Sequence, residues 1–357
     1  MFARIALPTF GFAALLLACN PATPTGSTDT DTGSEADTDT DATVDEGWHF
    51  ESVDGMMCGG GDATGIGVNP GSNAEQLVVL MAGGGGCWDT ASCFVFETAA
   101  NLETAWGATH LANEVVALDA SGMLDRTDLD NPYRNATYVY VPYCTGDFHS
   151  GDAIQYYDAF NPNRATHHAG ASNLSAMLDH VSAHQPDVAD LWLLGISAGG
   201  YGAQIQAHQY RDTWPAADFR LFADGSPMIQ PNEYRWPAWQ QSWNIQLPPD
   251  CTDCAQSFPA ILQAQSTALP DVNFALATFT EDNVVTLFFA QPLGGLNTAQ
   301  TGLINTQYGT DQLSVFRATG TEHVMMSNPP AWTASNGETF TDFYWSWANG
   351  EFPADAL

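Results

Sequence analysis

Leu191-Trp192-Leu193-Leu194-Gly195-Ile196-Ser197-Ala198-Gly199-Gly200 is a short apolar run that ends in a glycine-flanked serine. Residues 191–196 read as a buried strand, and Gly199–Tyr210 after them as a helix. Gly195-Ile196-Ser197-Ala198-Gly199 therefore places G-x-S-x-G at a strand-to-helix turn, the context of a nucleophile elbow. The chemistry explains the spacing. A serine on so sharp a turn needs neighbours two residues away that lack side chains. Its hydroxyl then stands above the sheet edge, beside a helix N-terminus that favours developing negative charge.

Outward from this turn the chain alternates strands with helices. Gln76–Ala82, Thr137–Tyr143, Phe219–Ala223, Val272–Phe279 and Leu313–Ala318 are apolar, β-branched or aromatic runs that read as further strands. His168–His184, a stretch from Asn283, and Phe340–Trp347 read as helices. Continuous apolar strands separated by helices predict a mostly parallel central sheet with helices on both faces, an α/β fold of the α/β-hydrolase type. No internal repeat interrupts this order.

Gly83-Gly84-Gly85-Gly86-Cys87-Trp88 directly follows the first of these strands. Bare backbone can approach a ligand closely and aim N–H groups at it, so the loop predicts an oxyanion hole shared with the N–H of Ala198. A Walker phosphate loop is excluded, because its pattern and its Lys are absent, and no G-x-G-x-x-G opens a helix here. An elbow serine needs an acid and then a histidine downstream. His208 falls inside the helix that follows the elbow, whereas His323 lies in a loop just past the strand Leu313–Ala318. His323 is therefore the expected general base. Asp282, after the strand Val272–Phe279, is the expected acid; Asp224, after Phe219–Ala223, is held in reserve, with Glu281 as a weaker alternative. Ser197 would attack an acyl carbon, His323 would carry the proton, and Asp282 would fix the imidazole tautomer.

The charge balance narrows the partners. Against 41 acidic residues stand 8 basic ones, all Arg, for a formal net charge of -33. Nucleic acid is excluded as a partner, since phosphate binding needs clustered Lys and Arg. Anionic lipid surfaces and polyanions are repelled as well. A Lys-free acidic surface also suits a salty medium, where ions screen its self-repulsion. The N-terminus reads as targeting: Arg4, then an apolar run ending Leu16-Leu17-Ala18-Cys19. That ending resembles a bacterial lipobox, which predicts a lipoprotein signal peptide over 1–19 with Cys19 lipidated; an ordinary secretory signal is the alternative. The Thr/Asp-rich stretch 20–46 is too polar to fold and reads as a disordered acidic linker, leaving 47–357 as the hydrolase domain. Export to an outer membrane or cell surface follows, with the membrane touched only through the lipid.

Setting Cys19 aside leaves Cys58, Cys87, Cys93, Cys144, Cys251 and Cys254. An even number in an exported chain predicts disulfides. Proximity would pair Cys87 with Cys93 and Cys251 with Cys254, and elimination would pair Cys58 with Cys144. No metal site is expected: His180 and His184 are spaced i, i+4 but lack the intervening Glu of H-E-x-x-H, and no second C-x-x-C accompanies Cys251-Thr-Asp-Cys254. His167-His168 reads as loop or helix surface, and the Trp-rich segment Glu233–Pro249 as a lid or, equally, as core.

With these residues in view, the chain resembles the pectin acetylesterase and Notum family of carboxylesterases. Gly83–Cys87 with Cys93 resembles its glycine loop and C-x5-C segment; Tyr143-Cys144-Thr145-Gly146-Asp147 with Gly151-Asp152 resembles its "YC-D/S-G…GD" stretch; residues 195–200 match its elbow. Asp282 and His323 fall where its acid and base lie. The resemblance implies that Gly84, Gly85 and Ala198 supply the oxyanion N–H groups, that no cofactor is needed, and that the substrate is an ester. It departs where the family carries a Trp in the glycine loop, since Gly86 stands there and Trp88 follows the cysteine. Deacetylation of a glycan or similar ester is the expected reaction. Hydrolysis of longer acyl chains or polyesters, and non-catalytic binding on a hydrolase fold, are the rivals.

Overall fold

Leucine-, valine- and phenylalanine-rich runs bury both faces of a central sheet, as parallel strands require. In the computed structural model residues 47–292, 294–306 and 313–357 are described, the side chains at 116, 117, 119 and 120 excepted. The expected signal peptide, Cys19 and the whole of the linker lie outside the described residues. The strands are β1 (His49–Met57), β2 (Ala63–Asn69), β3 (Asn73–Met81), β4 (Ala136–Val141), β5 (Ala153–Gln155), β6 (Thr166–His168), β7 (Asp190–Ile196), β8 (Asp218–Asp224), β9 (Asn273–Phe279) and β10 (Leu313–Ala318). The helices are α1 (Thr90–Phe94), α2 (Ala108–Ser121), α3 (Gly170–His184), α4 (Ala198–Thr213), α5 (Arg235–Trp243), α6 (Ala260–Ala268), α7 (Asn283–Phe288), α8 (Gly295–Thr306) and α9 (Phe340–Ala348).

Eight strands form one sheet in the order β1-β2-β4-β3-β7-β8-β9-β10. From β4 to β10 every neighbouring pair is parallel, while β1 and β2 join antiparallel at the edge. This is the expected mostly parallel α/β architecture. Every residue of β9 is buried, and so are the five central residues of β7. Helix α4 packs along β7 and β8. Helix α9 sets Phe340, Tyr344 and Trp347 against Phe222 of β8, in edge-on contacts with centroids 4.9–6.0 Å apart. Because the strands run parallel, their C-terminal ends lie along one edge, and the loops after β3, β7, β8, β9 and β10 meet there.

The far edge of the sheet is covered by a returning segment. Val315 N–H donates to Asp355 Oδ1 at 3.0 Å, Ala356 N–H to the Val315 carbonyl at 2.8 Å, and Arg317 N–H to the Ala356 carbonyl at 2.7 Å.

Two expectations need correction. Helix α3 starts at Gly170, and His168 belongs instead to β6, which pairs antiparallel with β5. His168 is no surface residue: it is fully buried, its Nδ1 bonded to the Thr145 carbonyl at 2.8 Å and its Nε2 to the Tyr157 hydroxyl. The Trp-rich segment supplies core. Trp236, Trp239 and Trp243 of α5 are buried at i, i+3, i+7 spacing, and Trp239 stacks on Trp243 with centroids 5.5 Å apart. A helix that commits three indoles inward is anchored by them. His180, by contrast, does sit on the outer part of α3, bonded to Glu51 at 2.9 Å.

Candidate active site

The turn between β7 and α4 holds Ser197 at φ 54°, ψ −121°, a left-handed backbone that a residue with a side chain adopts only under constraint. The constraint is visible. The Ser197 N–H donates to the Asp224 carbonyl at 2.8 Å, and the Ser197 carbonyl accepts from Ser226 Oγ at 2.7 Å. Gly199 passes so near β3 that a Cβ there would lie 2.0 Å from the Met81 carbonyl oxygen, which is why the motif's last position lacks a side chain.

His323 arrives from the loop after β10. Its Nε2 lies 2.7 Å from Ser197 Oγ and its Nδ1 2.7 Å from Asp282 Oδ2. Asp282 is fully buried after β9, where it caps α7: its Oδ1 accepts from the N–H groups of Val284 and Val285 at 2.8 and 2.9 Å. Two backbone donors and an imidazole thus hold one carboxylate in place. With Asp282 accepting from Nδ1–H, Nε2 is left to accept from the serine hydroxyl. The reserve acid, Asp224, makes no hydrogen bond to His323; its Oδ2 accepts from Met325 and Met326 N–H. Glu281 is exposed. His208 lies in α4, as expected, with Nδ1 3.1 Å from Gln265.

The glycine loop leaves β3 beside this relay. Gly85 has φ +74°, and a Cβ on it would meet the Thr98 carbonyl oxygen at 2.1 Å. The loop's carbonyls are tied away from the serine: Gly84 O accepts from Ala100 N–H at 2.8 Å, and Gly85 O from the Tyr143 hydroxyl at 2.6 Å. Among the described residues, the N–H groups of Gly84, Gly85 and Ala198 have no hydrogen-bond acceptor. Three unspent donors beside a serine–histidine pair suit a developing oxyanion.

Sequence reasoning missed the braces of this loop. Tyr143 is fully buried, and burial pushes its phenol well above the ordinary range, so it stays a donor. It also accepts from Phe148 N–H at 3.0 Å. Trp243 Nε1 donates to the Cys87 carbonyl at 2.6 Å and Ser242 Oγ to the Trp88 carbonyl at 2.7 Å, so α5 clamps the next two residues. Asp147, also buried, caps α3 by accepting from Gly170 N–H at 2.7 Å. The motif Tyr143–Asp147 was the available signal, and its two polar ends prove to be structural posts.

The structure pairs Cys58 with Cys144, Cys87 with Cys93, and Cys251 with Cys254, at Cα separations of 4.9, 5.0 and 5.6 Å. The second bridge closes the segment right after the glycine loop. Among the described residues no group of three His, Cys, Asp or Glu side chains is arranged to hold a metal ion.

Known proteins are similar to this chain in sequence and in fold. The family model described as Pectinacetylesterase matches residues 48–245, which hold the glycine loop, Tyr143–Asp147 and the Ser197 turn. The chain is 27% identical over 226 residues to the palmitoleoyl-protein carboxylesterase NOTUM of Drosophila melanogaster, covering 57% of this chain and 32% of that protein. It is 27% identical over 207 residues to pectin acetylesterase 11 of Arabidopsis thaliana, covering 57% of this chain and 49% of that protein. The matched stretch is thus less than half of either relative's own length. The solved structure of the Wnt deacylase Notum from Drosophila is similar with a TM-score of 0.63 and 16% identity, over 85% of this chain and 93% of that one. At that identity the likeness shows the fold.

Proposed function

The chain belongs to the Pectinacetylesterase family, and from that premise we propose that it is a carboxylic ester hydrolase acting through an acyl-enzyme on Ser197. The observation that carries the reading is the relay Asp282–His323–Ser197, with both contacts at 2.7 Å. As Ser197 Oγ attacks the acyl carbon, His323 Nε2 takes its proton and the carbonyl becomes an oxyanion facing the N–H groups of Gly84, Gly85 and Ala198. The tetrahedral adduct collapses, the C–O bond to the alcohol breaks, and His323 returns the proton to the leaving oxygen. Water then repeats the sequence on the acyl-serine, releasing the acid. Asp282, bonded to Nδ1, offsets the imidazolium charge. This chemistry needs no metal or cofactor.

The substrate we propose is an acetylated glycan or similar small ester. The family and the pectin acetylesterase relative support deacetylation, while a formal charge of -33 disfavours a polyanionic chain. One observation favours a second reading, hydrolysis of longer acyl chains. Val95, Phe96, Tyr156, Phe160 and Tyr234 are exposed on the connections after β3, β5 and β8, and Leu287 is exposed on α7 after β9. Three disulfides suit an exported protein, and lipidation at Cys19 would hold it at a bacterial outer membrane or cell surface.

Hydrolysis of p-nitrophenyl esters from acetate to palmitate, beside Ser197→Ala, tests both. Turnover falling steeply past butyrate and absent in the variant is the expected result. A preference for palmitate selects the second reading, and turnover that survives Ser197→Ala removes the serine mechanism.

A further inference from the structure

Asp224 is fully buried at the end of β8, between the two reacting loops, yet touches neither reacting side chain. Its backbone carbonyl accepts the Ser197 N–H at 2.8 Å, and Ser226 Oγ bridges from that carbonyl at 3.0 Å to the Ser197 carbonyl at 2.7 Å. Its carboxylate Oδ2 accepts from Met325 and Met326 N–H at 2.8 and 2.7 Å, in the turn directly after His323. The next residue, Gly225, runs beneath the base: a Cβ there would lie 2.5 Å from the His323 carbonyl oxygen and 3.3 Å from its Cε1. One residue therefore holds the nucleophile turn by its main chain and the histidine loop by its side chain.

Packing alone does not account for a carboxylate here. Oδ1 is buried without a hydrogen-bond partner among the described residues, and leaving such a group unmatched is costly. The titratable groups facing Asp224 are His323 and Asp282, from the loops after β10 and β9, and Tyr344 of α9. Only His323 becomes positive among them, and it does so when it takes the serine proton.

We propose that Asp224 is a positioning residue of the active site: it locks the Ser197 turn to the His323 loop, and its charge steadies the imidazolium formed during acyl transfer. This inference rests on the reading of Ser197, His323 and Asp282 as the reacting groups. Burial pushes the Asp224 carboxyl up to about 7, against the pull of the two N–H donors and of His323. Its negative charge is thus most available at and above neutral pH, where the base must be free.

Asp224→Asn keeps an oxygen for the two N–H groups and removes the charge. The expected result is kcat lowered on the order of tenfold with KM little changed. The acidic limb of kcat/KM should also move to lower pH by about half a unit or more, because His323 loses a favourable negative neighbour. A pH profile identical to wild type overturns the proposal, as does activity lost only in proportion to unfolded protein. Ser197→Ala, assayed alongside, separates the two readings. Turnover surviving there overturns the nucleophile assignment, whereas an inactive Ser197→Ala with an unchanged Asp224→Asn profile overturns this inference alone. Should Asp224→Asn not fold, the wild type decides through the rate of Ser197 labelling by a fluorophosphonate. A two-proton dependence with one midpoint near pH 7 supports the proposal, and a single-proton curve overturns it.

Discussion

Asp224 and His168 are both buried, and burial displaces their titrations in opposite senses. The Asp224 carboxyl is raised to about 7 and the His168 imidazole lowered to about 4. The signs then differ. Asp224 favours the fold below its ordinary range near 3.8, and that contribution is lost as pH rises through about 7. His168 contributes above about 6.5, and its part is lost as pH falls through about 4. Between these limits the two offset each other, so removing one uncovers the other. The urea midpoint of Asp224→Asn, minus that of wild type, should therefore grow more positive from pH 4 to pH 8. A difference independent of pH would mean that Asp224 does not titrate in this range. Residue chemistry also marks what a reader of the sequence could and could not find. Ser197 was legible because its turn imposes glycines at fixed offsets, and His323 because only two histidines follow it. Asp282 and Asp224 both follow strands, and only the distances distinguish the one that meets His323 Nδ1 from the one that caps the turn after it.

At the scale of elements, the glycine loop is a short backbone segment held by its neighbours. Its carbonyls are bound by Tyr143 and Ala100, and the residues just beyond it by α5. Gly85→Ala would drive a methyl group into the Thr98 carbonyl and strain a φ of +74°. We expect kcat to fall by about 10²–10³, the cost of losing one oxyanion donor, with KM little changed. An unchanged kcat in Gly85→Ala would remove the loop from the mechanism. The strands of the parallel sheet were legible as continuous apolar runs, but β1 and β2 were not. His49–Met57 mixes His, Glu and Asp with its apolar residues because an antiparallel edge strand is only half covered. The same limit hid the role of α5. Whether Trp236, Trp239 and Trp243 face a lid or a core depends on what packs against them, namely Phe148, Phe258 and Phe288, which lie far away in the chain.

For the whole molecule, 41 acidic residues share the chain with 8 Arg, and among the described residues few of the carboxylates meet an Arg. Arg211 reaches Asp271 at 2.8 Å and Arg220 reaches Asp190 at 3.4 Å, which leaves most carboxylates to repel one another. Self-repulsion of this kind is screened as ionic strength rises, with a Debye length falling from about 30 Å at 0.01 M to about 3 Å at 1 M. The melting temperature should accordingly rise with added sodium chloride well past physiological ionic strength. A melting temperature that is flat or falls over that range would show that the surface charge costs the fold nothing. The charge pattern was plain in the sequence, as was the α/β class; the tertiary pairing of eight strands was not.

The segment around Ala356 lies along β10 and takes up three of its backbone groups. A strand at the end of a sheet otherwise displays a row of free amide and carbonyl groups, a template on which another chain can add its own strand. Here that template is already occupied, and Asp355 sets a carboxyl group beside it. An acidic surface keeps copies apart at long range, but once salt screens it, only local shape prevents two sheets from joining. The returning segment occupies that border by shape and hydrogen bonding, and so leaves β10 no free row for a second chain under the conditions in which repulsion is weakest.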